Sequence, residues 1–445
     1  MTGDQMLGLA MLFGMVTTIF IGFPISFTLL FLALVFGWIG LGIELTFNLS
    51  YLQIWGTMKD EVFPAVPLFI FMGFMTEQAG LMERLFAALR NVLAPVRGSL
   101  YLAVILTATI FAMATGIVGA AVTVLGIMAA PMMIKAGYDA RLSAGAIAAG
   151  GTLGVLIPPS VMLVVMGPTL GVPVNLLYSA AFGPGFLLAL LYIIYTMGRS
   201  FINPKLGPPV PKEDRITDVW VLIKEFIVGV VPLAALIGFT LGTILGGLAT
   251  PSEAAACGAT GATLLALCYG KLTFTALKNA AVMTMMTAGM VLFLAVASNV
   301  FGAVFTKLGT AQVITQALAA IPLPDFGKLI VIMVAVFILG WPFEWPAIVL
   351  VFLPIVMPVV ENLQLGLSKL ELLIWFGALI AVNLQTAFLS PPVAMSAYYL
   401  RNVVPQWSLG MIYRGMGDFM VLQCICLAIV LFFPDIVLWL PRALR

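Results

Sequence analysis

Gly151-Thr152-Leu153-Gly154-Val155-Leu156-Ile157-Pro158-Pro159-Ser160 lies within sequence apolar enough for lipid, yet it is a poor helix. Its glycines weaken helical order, and adjacent prolines remove two backbone donors and clash with the preceding turn. Hydrocarbon offers nothing to unpaired peptide groups, so such a break must be buried in protein or line a wet cavity. A second break follows far downstream, Asn383-Leu384-Gln385-Thr386-Ala387-Phe388-Leu389-Ser390-Pro391-Pro392. Two polar, double-proline interruptions in one apolar chain point to a transport machine.

Composition sets the environment. Of 445 residues, 62% are hydrophobic and 9% charged, against about 25% charged in a soluble protein. The chain is therefore a polytopic membrane protein. A net charge of +2 with scattered basic residues argues against nucleic acid as a partner. The absence of histidine removes imidazole acid–base chemistry, haem ligation and histidine metal sites. Cys257, Cys268, Cys424 and Cys426 lie in or beside apolar segments and read as packing residues. No basic region precedes the first apolar run, so a retained first span is expected rather than a cleaved signal. No Gly-x-x-x-x-Gly-Lys-Ser/Thr loop is present, and no nucleophile has a base partner, so neither ATP hydrolysis nor enzyme chemistry is expected.

Working outward, residues 6–20 and 24–41 form either two close spans or one long helix broken at Gly22-Phe23-Pro24. Residues 44–61 are more polar and leave the hydrocarbon, and 62–76 are apolar again. Residues 80–97 place Leu81, Leu85, Leu89 and Leu93 on one helical stripe among Glu83, Arg84, Arg90 and Arg97, an interfacial amphipathic pattern. Residues 99–133 are long enough for two spans but carry no charged loop at their middle. A re-entrant hairpin with its tip near Ala114-Thr115-Gly116 is the economical reading. The helix entering the opening motif comes next, then a span over 175–197.

Residues 199–224 form a proline-rich loop with Arg199, Lys205, Lys212, Arg215 and Lys224, which is expected in the cytoplasm. The acidic N-terminus is expected outside and the C-terminus, with Arg442 and Arg445, inside. Spans over 226–247 and 254–268 meet at Thr250-Pro251-Ser252-Glu253, where Glu253 in the first helical turn reads as part of a cap. A span over 280–304 and a weaker, interfacial segment over 310–321 follow. From residue 329 the first pattern recurs, with a second hairpin tip at Gly340-Trp341-Pro342-Phe343-Glu344-Trp345-Pro346 and then the second break. Residues 403–414 read as interfacial and 419–440 as the last span. The expected fold is all-α, with two inverted repeats, each holding a re-entrant hairpin and a discontinuous helix. Its units are 1–98 and 225–327 as scaffold, 99–198 and 328–402 as transport repeats, 199–224 as the loop, and 403–445 at the C-terminus.

A broken helix presents free carbonyls on one arm and free amides on the other. Carbonyls with the hydroxyls of Thr115, Thr152, Ser160, Thr386 or Ser390 suit sodium, and the amide ends suit a carboxylate. The competing reading is that the prolines merely kink packed helices and the hydroxyls bond local carbonyls. Glu344, a carboxylate at membrane depth, has two readings, ion or substrate contact and stabilisation of the tip. Trp341 and Trp345 either wall the site or anchor the hairpin.

On these motifs the chain resembles the large membrane subunit of tripartite ATP-independent periplasmic (TRAP) transporters over nearly its whole length. The opening stretch is similar to the family's Gly-Thr-Leu-Gly-hydrophobic-hydrophobic-Ile-Pro-Pro-Ser pattern. Thr250-Pro251-Ser252-Glu253-Ala254 and the second proline pair add support. Two departures stand out. Ala114-Thr115-Gly116 replaces a common Ser-Gly-Ser, and the second tip is bulkier than the usual Gly-x-x-hydrophobic-Asp. The latter resembles the subgroup serving mannitol, chloroaromatic and keto acids; dicarboxylates are the other substrate class the resemblance brings. The resemblance implies an elevator transporter of the bacterial inner membrane that imports a small organic acid. It implies sodium as coupling ion with no other cofactor, and two partners: a four-helix membrane subunit and a soluble periplasmic binding protein. It carries sodium sites, mostly of backbone carbonyls, onto Thr115, Gly116, Thr152, Gly154 and Pro158, and onto Gly340, Thr386 and Pro391. The alternative is a self-sufficient sodium/carboxylate symporter of related architecture.

Overall fold

A computed structural model of the chain describes residues 2–116, 118–210, 215–216, 218–391 and 394–444. The first helix, α1 (Gly3–Ile21), starts on a capping box of Thr2 and Gln5 and stops at Gly22, whose φ of 104° ends the helix in a left-handed turn. α2 (Ile25–Leu41) then packs back along α1, so the opening apolar runs are two helices rather than one broken one. α3 (Ile43–Lys59) is the more polar element. α4 (Ala65–Gln78) and α5 (Leu81–Leu93) meet at a 60° bend where Gly80 has a φ of 69°. The leucine stripe of α5 is buried at Leu81, Leu85 and Leu89. Its polar side is tethered too: Arg84 lies over the Tyr269 ring at 4.4 Å, and Asn91 donates to Glu225 at 2.6 Å.

The first hairpin is α6 (Ser99–Thr115) and α7 (Val118–Lys135). The opening motif ends α8 (Ala140–Leu156), which is bent by 42° from α9 (Val161–Leu170). α10 (Val174–Ile202), α11 (Val219–Leu245), α12 (Pro251–Cys268) and α13 (Phe274–Lys307) are long helices, followed by the short α14 (Thr310–Ala319). The second hairpin has α15 (Asp325–Leu339) as one arm. Its return arm is α16 (Trp345–Ala347), a π-helical turn over Ile348–Phe352, and α17 (Leu353–Val360). α18 (Lys369–Gln385) runs into a 3-10 turn over Thr386–Phe388 at the second break, beyond which lies α19 (Met395–Val403). α20 (Leu409–Phe432) and α21 (Asp435–Ala443) close the chain. Among the described residues, seven helices are long and apolar enough to cross a membrane, with two bent pairs besides.

The repeat is larger than the two transport segments read from sequence. The order span, short arm helix, hairpin, broken helix, span occurs over α4–α10 and again over α13–α20, with equivalent helices beginning roughly 210–235 residues apart. Both arm helices, α5 and α14, start after a left-handed glycine, Gly80 and Gly309. The two hairpins open on opposite faces. At the base of the first, the Leu100 N–H donates to the Tyr138 hydroxyl at 3.2 Å. Tyr101 and the Asp139 N–H both donate to the Leu206 carbonyl beyond the C-terminal end of α10. At the base of the second, the Gln364 N–H donates to Asp325 at 2.9 Å, and Lys369 pairs with Glu361 at 2.7 Å. That base leads through Glu371 and Arg442 to α21, whose Ile436 carbonyl fits against Gly183 near the other end of α10. At 1.5 Å per residue, Gly183 and Ile202 are roughly 30 Å apart, the thickness of a bilayer core.

Four boundaries differ from the sequence expectation. α10 continues through Ile202 and α11 begins at Val219, so the hydrophilic loop is shorter than 199–224; its Pro211 and Lys212 lie outside the described residues. Residues 403–414 are not one interfacial element. α19 ends at Val403, and Leu409–Arg414 already belong to α20. The last long helix ends at Phe432, before Pro434, and α21 is separate. Within α20, Asp418 accepts from Arg141 at 2.6 Å and from Tyr195 at 2.8 Å.

Two sets of helix contacts stand out. α8 packs on α6, α7 and α20, and α18 on α10, α15 and α20. Around them stand α4 against α12 and α13, α13 against α2 and α3, and α11 against α5. Large apolar side chains such as Phe27, Phe31, Phe239 and Met285 stay exposed on this outer set, as a lipid-facing surface requires.

Candidate functional site

Each hairpin tip meets its own broken helix. Gly116, with a φ of 60°, ends α6, and a side chain there would meet the Pro159 carbonyl oxygen at 3.4 Å and the Gly154 carbonyl oxygen at 3.8 Å. Gly154 in turn lies against Ala112 and Gly116, and Gly151 leaves no space between α8 and Val122 of α7. The opening motif thus uses its glycines to bring three backbones together. At the second break, Gly340 sits against Ala387, where an added carbon would lie 3.2 Å from the Ala387 side chain. Asn383 ties α18 to the hairpin arm by donating to the Met333 carbonyl at 2.7 Å, and its buried side-chain oxygen has no hydrogen-bond partner.

The hydroxyls nominated from sequence are fully buried at Thr152, Ser160, Thr386 and Ser390. Thr152 donates to the Ala149 carbonyl, Thr386 to the Asn383 carbonyl, Ser390 to the Thr386 carbonyl and Ser160 to the Val155 carbonyl. Each proton is committed locally, which leaves oxygen lone pairs as the groups able to face a cation. The two breaks also touch each other. With its amide nitrogen toward Thr152, Gln385 donates to the Thr152 carbonyl at 2.8 Å and to its hydroxyl at 3.0 Å. Its oxygen accepts from the Leu156 N–H at 3.1 Å.

A cavity of about 470 Å³ lies where tips and breaks converge. Gly116, Val118 and Gly119 come from the first tip, and Phe343, Glu344, Trp345 and Pro346 from the second. The breaks contribute Val155 and Val161, and Ala387, Phe388 and Met395. The outer helices close it with Phe74 and Glu77 of α4 and Met283, Thr287 and Met290 of α13. Val118, Val161 and Met395 are the first residues of α7, α9 and α19, so three helix N-termini, the positive ends of their helix dipoles, reach one space. Gly119 gives room to the Tyr399 ring, which joins the first tip to α19 across the cavity.

This arrangement can be set beside known proteins. The family description "Tripartite ATP-independent periplasmic transporter, DctM component" matches residues 12–436. The chain belongs to that family. It is a TRAP transporter large permease, a multi-pass protein of the bacterial inner membrane and a transport protein rather than an enzyme. It is 28% identical to the sialic acid TRAP transporter large permease of Vibrio cholerae, over 97% of both chains. It is 27% identical to the C4-dicarboxylate TRAP transporter large permease of Pseudomonas aeruginosa, over 88% of both. Among solved structures, the YdaH transporter of Alcanivorax borkumensis shares the fold at a TM-score of 0.61 and 16% identity, over 88% of this chain and 89% of that one. MtrF of Neisseria gonorrhoeae does so at 0.55 and 14%, over 88% and 84%.

Of the residues nominated in this TRAP permease, Gly116 and Glu344 line the cavity. Thr152, Gly154, Pro158, Ser160, Gly340, Thr386 and Ser390 are buried in the seams around it, and Pro391 is exposed. The side chain of Thr115, and the whole of Ile117 and Pro392, lie outside the described residues. The two tip tryptophans divide: Trp345 lines the cavity, whereas Trp341 is exposed and packs edge-on against Phe337. Glu253 is remote from the cavity and forms a reciprocal capping box with Thr250. Sequence reading missed Glu77, because it closes an apolar run and looks like a span boundary. It also missed Gln385 and Asn383, whose polarity within a buried helix was the available signal.

Proposed function

We propose that this permease is the sodium-coupled membrane engine of a binding-protein-dependent importer for a small organic acid anion. One observation carries the reading: three helix N-termini and both hairpin tips share a single cavity with the outer helices α4 and α13. Helix N-termini bind carboxylates without a basic side chain, and in transporters built of repeats such sites sit between broken helices. Support for sodium comes from Gly116, packed against the Pro159 and Gly154 carbonyls, and from the unpartnered oxygen of Asn383 beside the second break. Hard oxygen donors at such seams suit a weakly dehydrating cation. The inner body of hairpins and broken helices slides as an elevator against the outer helices, carrying the acid and sodium together. A soluble periplasmic protein delivers the acid, and a four-helix membrane subunit widens the fixed part. The N-terminus is periplasmic and the C-terminus cytoplasmic.

The test is uptake by proteoliposomes holding this chain with its small subunit and binding protein. An inward sodium gradient should drive accumulation, and collapse of the gradient or omission of the binding protein should abolish it. Equally strong sodium-driven uptake by this chain alone would overturn the tripartite reading in favour of a self-sufficient symporter.

A further inference from the structure

We propose that Tyr192 and Gln423 form an ordered-water site among α8, α10 and α20, and that this site holds the first break in place for the coupling ion. The positioning role rests on the sodium reading above; the water site stands without it.

The groups that need a partner come first. Gln423, midway along α20, is fully buried, and neither its amide oxygen nor its amide nitrogen has a hydrogen-bond partner among the described residues. The Tyr192 hydroxyl of α10 is equally buried and has no such partner either, and it faces both Gln423 and Thr152. The Phe419 ring lies edge-on to Tyr192 at 5.1 Å and helps to enclose the pair, while Cys426, one turn beyond Gln423, is directed to the Pro184 carbonyl. Burying an amide and a phenol without partners is costly, and buried polar groups are kept where something satisfies them.

The mixture of donors and acceptors decides the ligand. A cation would meet the oxygens of Gln423 and Tyr192 but would set a like charge against the amide N–H groups. An anion would do the reverse. Water both donates and accepts, so a molecule bridging the amide and the phenol supplies both kinds of bond.

The place of the site gives it its role. α20 lies close against α8, where Gly415 and Gly145 bring the two backbones together. Gly151 and Gly154 turn one side of α8 toward the first hairpin, and at 3.6 residues per turn Thr152 falls on the other side, where Gln385 takes its carbonyl and hydroxyl. Tyr192 and Gln423 support this same turn from α10 and α20. They are positioning residues: they keep the last turn of α8 from withdrawing, so that the Gly154 carbonyl stays against Gly116.

The experiment has three readouts. A cryo-EM map of the purified full chain that resolves waters should show a peak within hydrogen-bonding distance of both the Tyr192 hydroxyl and the Gln423 amide. In thermal unfolding, Tyr192→Phe and Gln423→Leu should each lower the midpoint, and the double variant should fall little further than the worse single one, because both lose the same water. In proteoliposomes with the small subunit and binding protein, each single variant should need about tenfold more sodium for half-maximal uptake, with the rate at saturating sodium retained. No such peak, a peak at contacts too short for water, or additive losses in the double variant would overturn the water site. Lowered midpoints with the parental sodium requirement would overturn the positioning role. Uptake by the parent that ignores sodium would overturn the sodium reading and the positioning role with it, whereas the map and the unfolding cycle decide the water site alone.

Discussion

Gln385 in the second broken helix clasps Thr152 in the first, through bonds of 2.8 Å to the threonine carbonyl and 3.0 Å to its hydroxyl. The amide oxygen accepts from the Leu156 N–H at 3.1 Å, so one side chain spans the last turn of α8 just before the double proline. Both residues are fully buried, where an unpaired polar group costs about 1–3 kcal/mol. Gln385→Leu should therefore lower stability by about that amount and loosen the contact between the two repeats. Gln385→Glu should be worse, since it sets a carboxylate oxygen against the Thr152 carbonyl. Thermal unfolding of the two variants beside the parent decides it. A leucine variant as stable as the parent would remove the clasp from the account.

Gly116→Ala tests the first tip. Its φ of 60° is left-handed, which costs an alanine about 1–2 kcal/mol, and the added carbon would sit 3.4 Å from the Pro159 carbonyl oxygen. The tip must shift away from the carbonyls it faces. Sodium activation of uptake should then require at least about tenfold more sodium, corresponding to about 1.4 kcal/mol of lost site energy. An unchanged sodium half-saturation would dissociate the tip from the ion.

The glycines of the opening motif and those of the outer surface should separate cleanly on replacement. Gly151→Ala places a carbon 2.3 Å from a Val122 methyl and 3.0 Å from its backbone nitrogen, so α7 and α8 must part. Overpacking of this kind costs about 1–3 kcal/mol. Gly198→Ala in α10 meets nothing within 4 Å and should stabilise the helix by about 0.5–1 kcal/mol. Paired unfolding curves check both signs.

How much of this was legible in the sequence depended on whether the signal was local. The double prolines, the glycines of the hairpin tips and the leucine stripe of α5 each act through chain neighbours, and all of them mark real elements. The Gln385–Thr152 contact joins opposite halves of the chain, and no local pattern announces it. Glu77 looked like the end of a span because a carboxylate after an apolar run normally marks the interface. In the fold, α4 delivers it to the cavity instead. Residues 403–414 are not one interfacial element, because α19 ends at Val403 and Ser408 caps α20 by accepting from the Met411 N–H, so Leu409–Arg414 already belong to the long helix.

Thr152→Ala and Thr386→Ala distinguish an ion ligand from a local hydrogen bond. Each hydroxyl donates to a carbonyl three residues back, at 2.8 Å for Thr152 and 2.7 Å for Thr386. Losing only that bond should cost about 0.5–1.5 kcal/mol of stability and leave sodium dependence alone. If the oxygen lone pairs also face the cation, removing the hydroxyl takes away a ligand that no neighbouring group replaces. The sodium requirement for uptake should then rise by about tenfold or more, at equal membrane abundance. The second threonine should show the larger effect, because the Thr152 oxygen already accepts from the Gln385 amide, whereas Thr386 lies near the unpartnered oxygen of Asn383, which can serve the same cation. Equal sodium activation in both variants and the parent would return the two hydroxyls to a purely structural role.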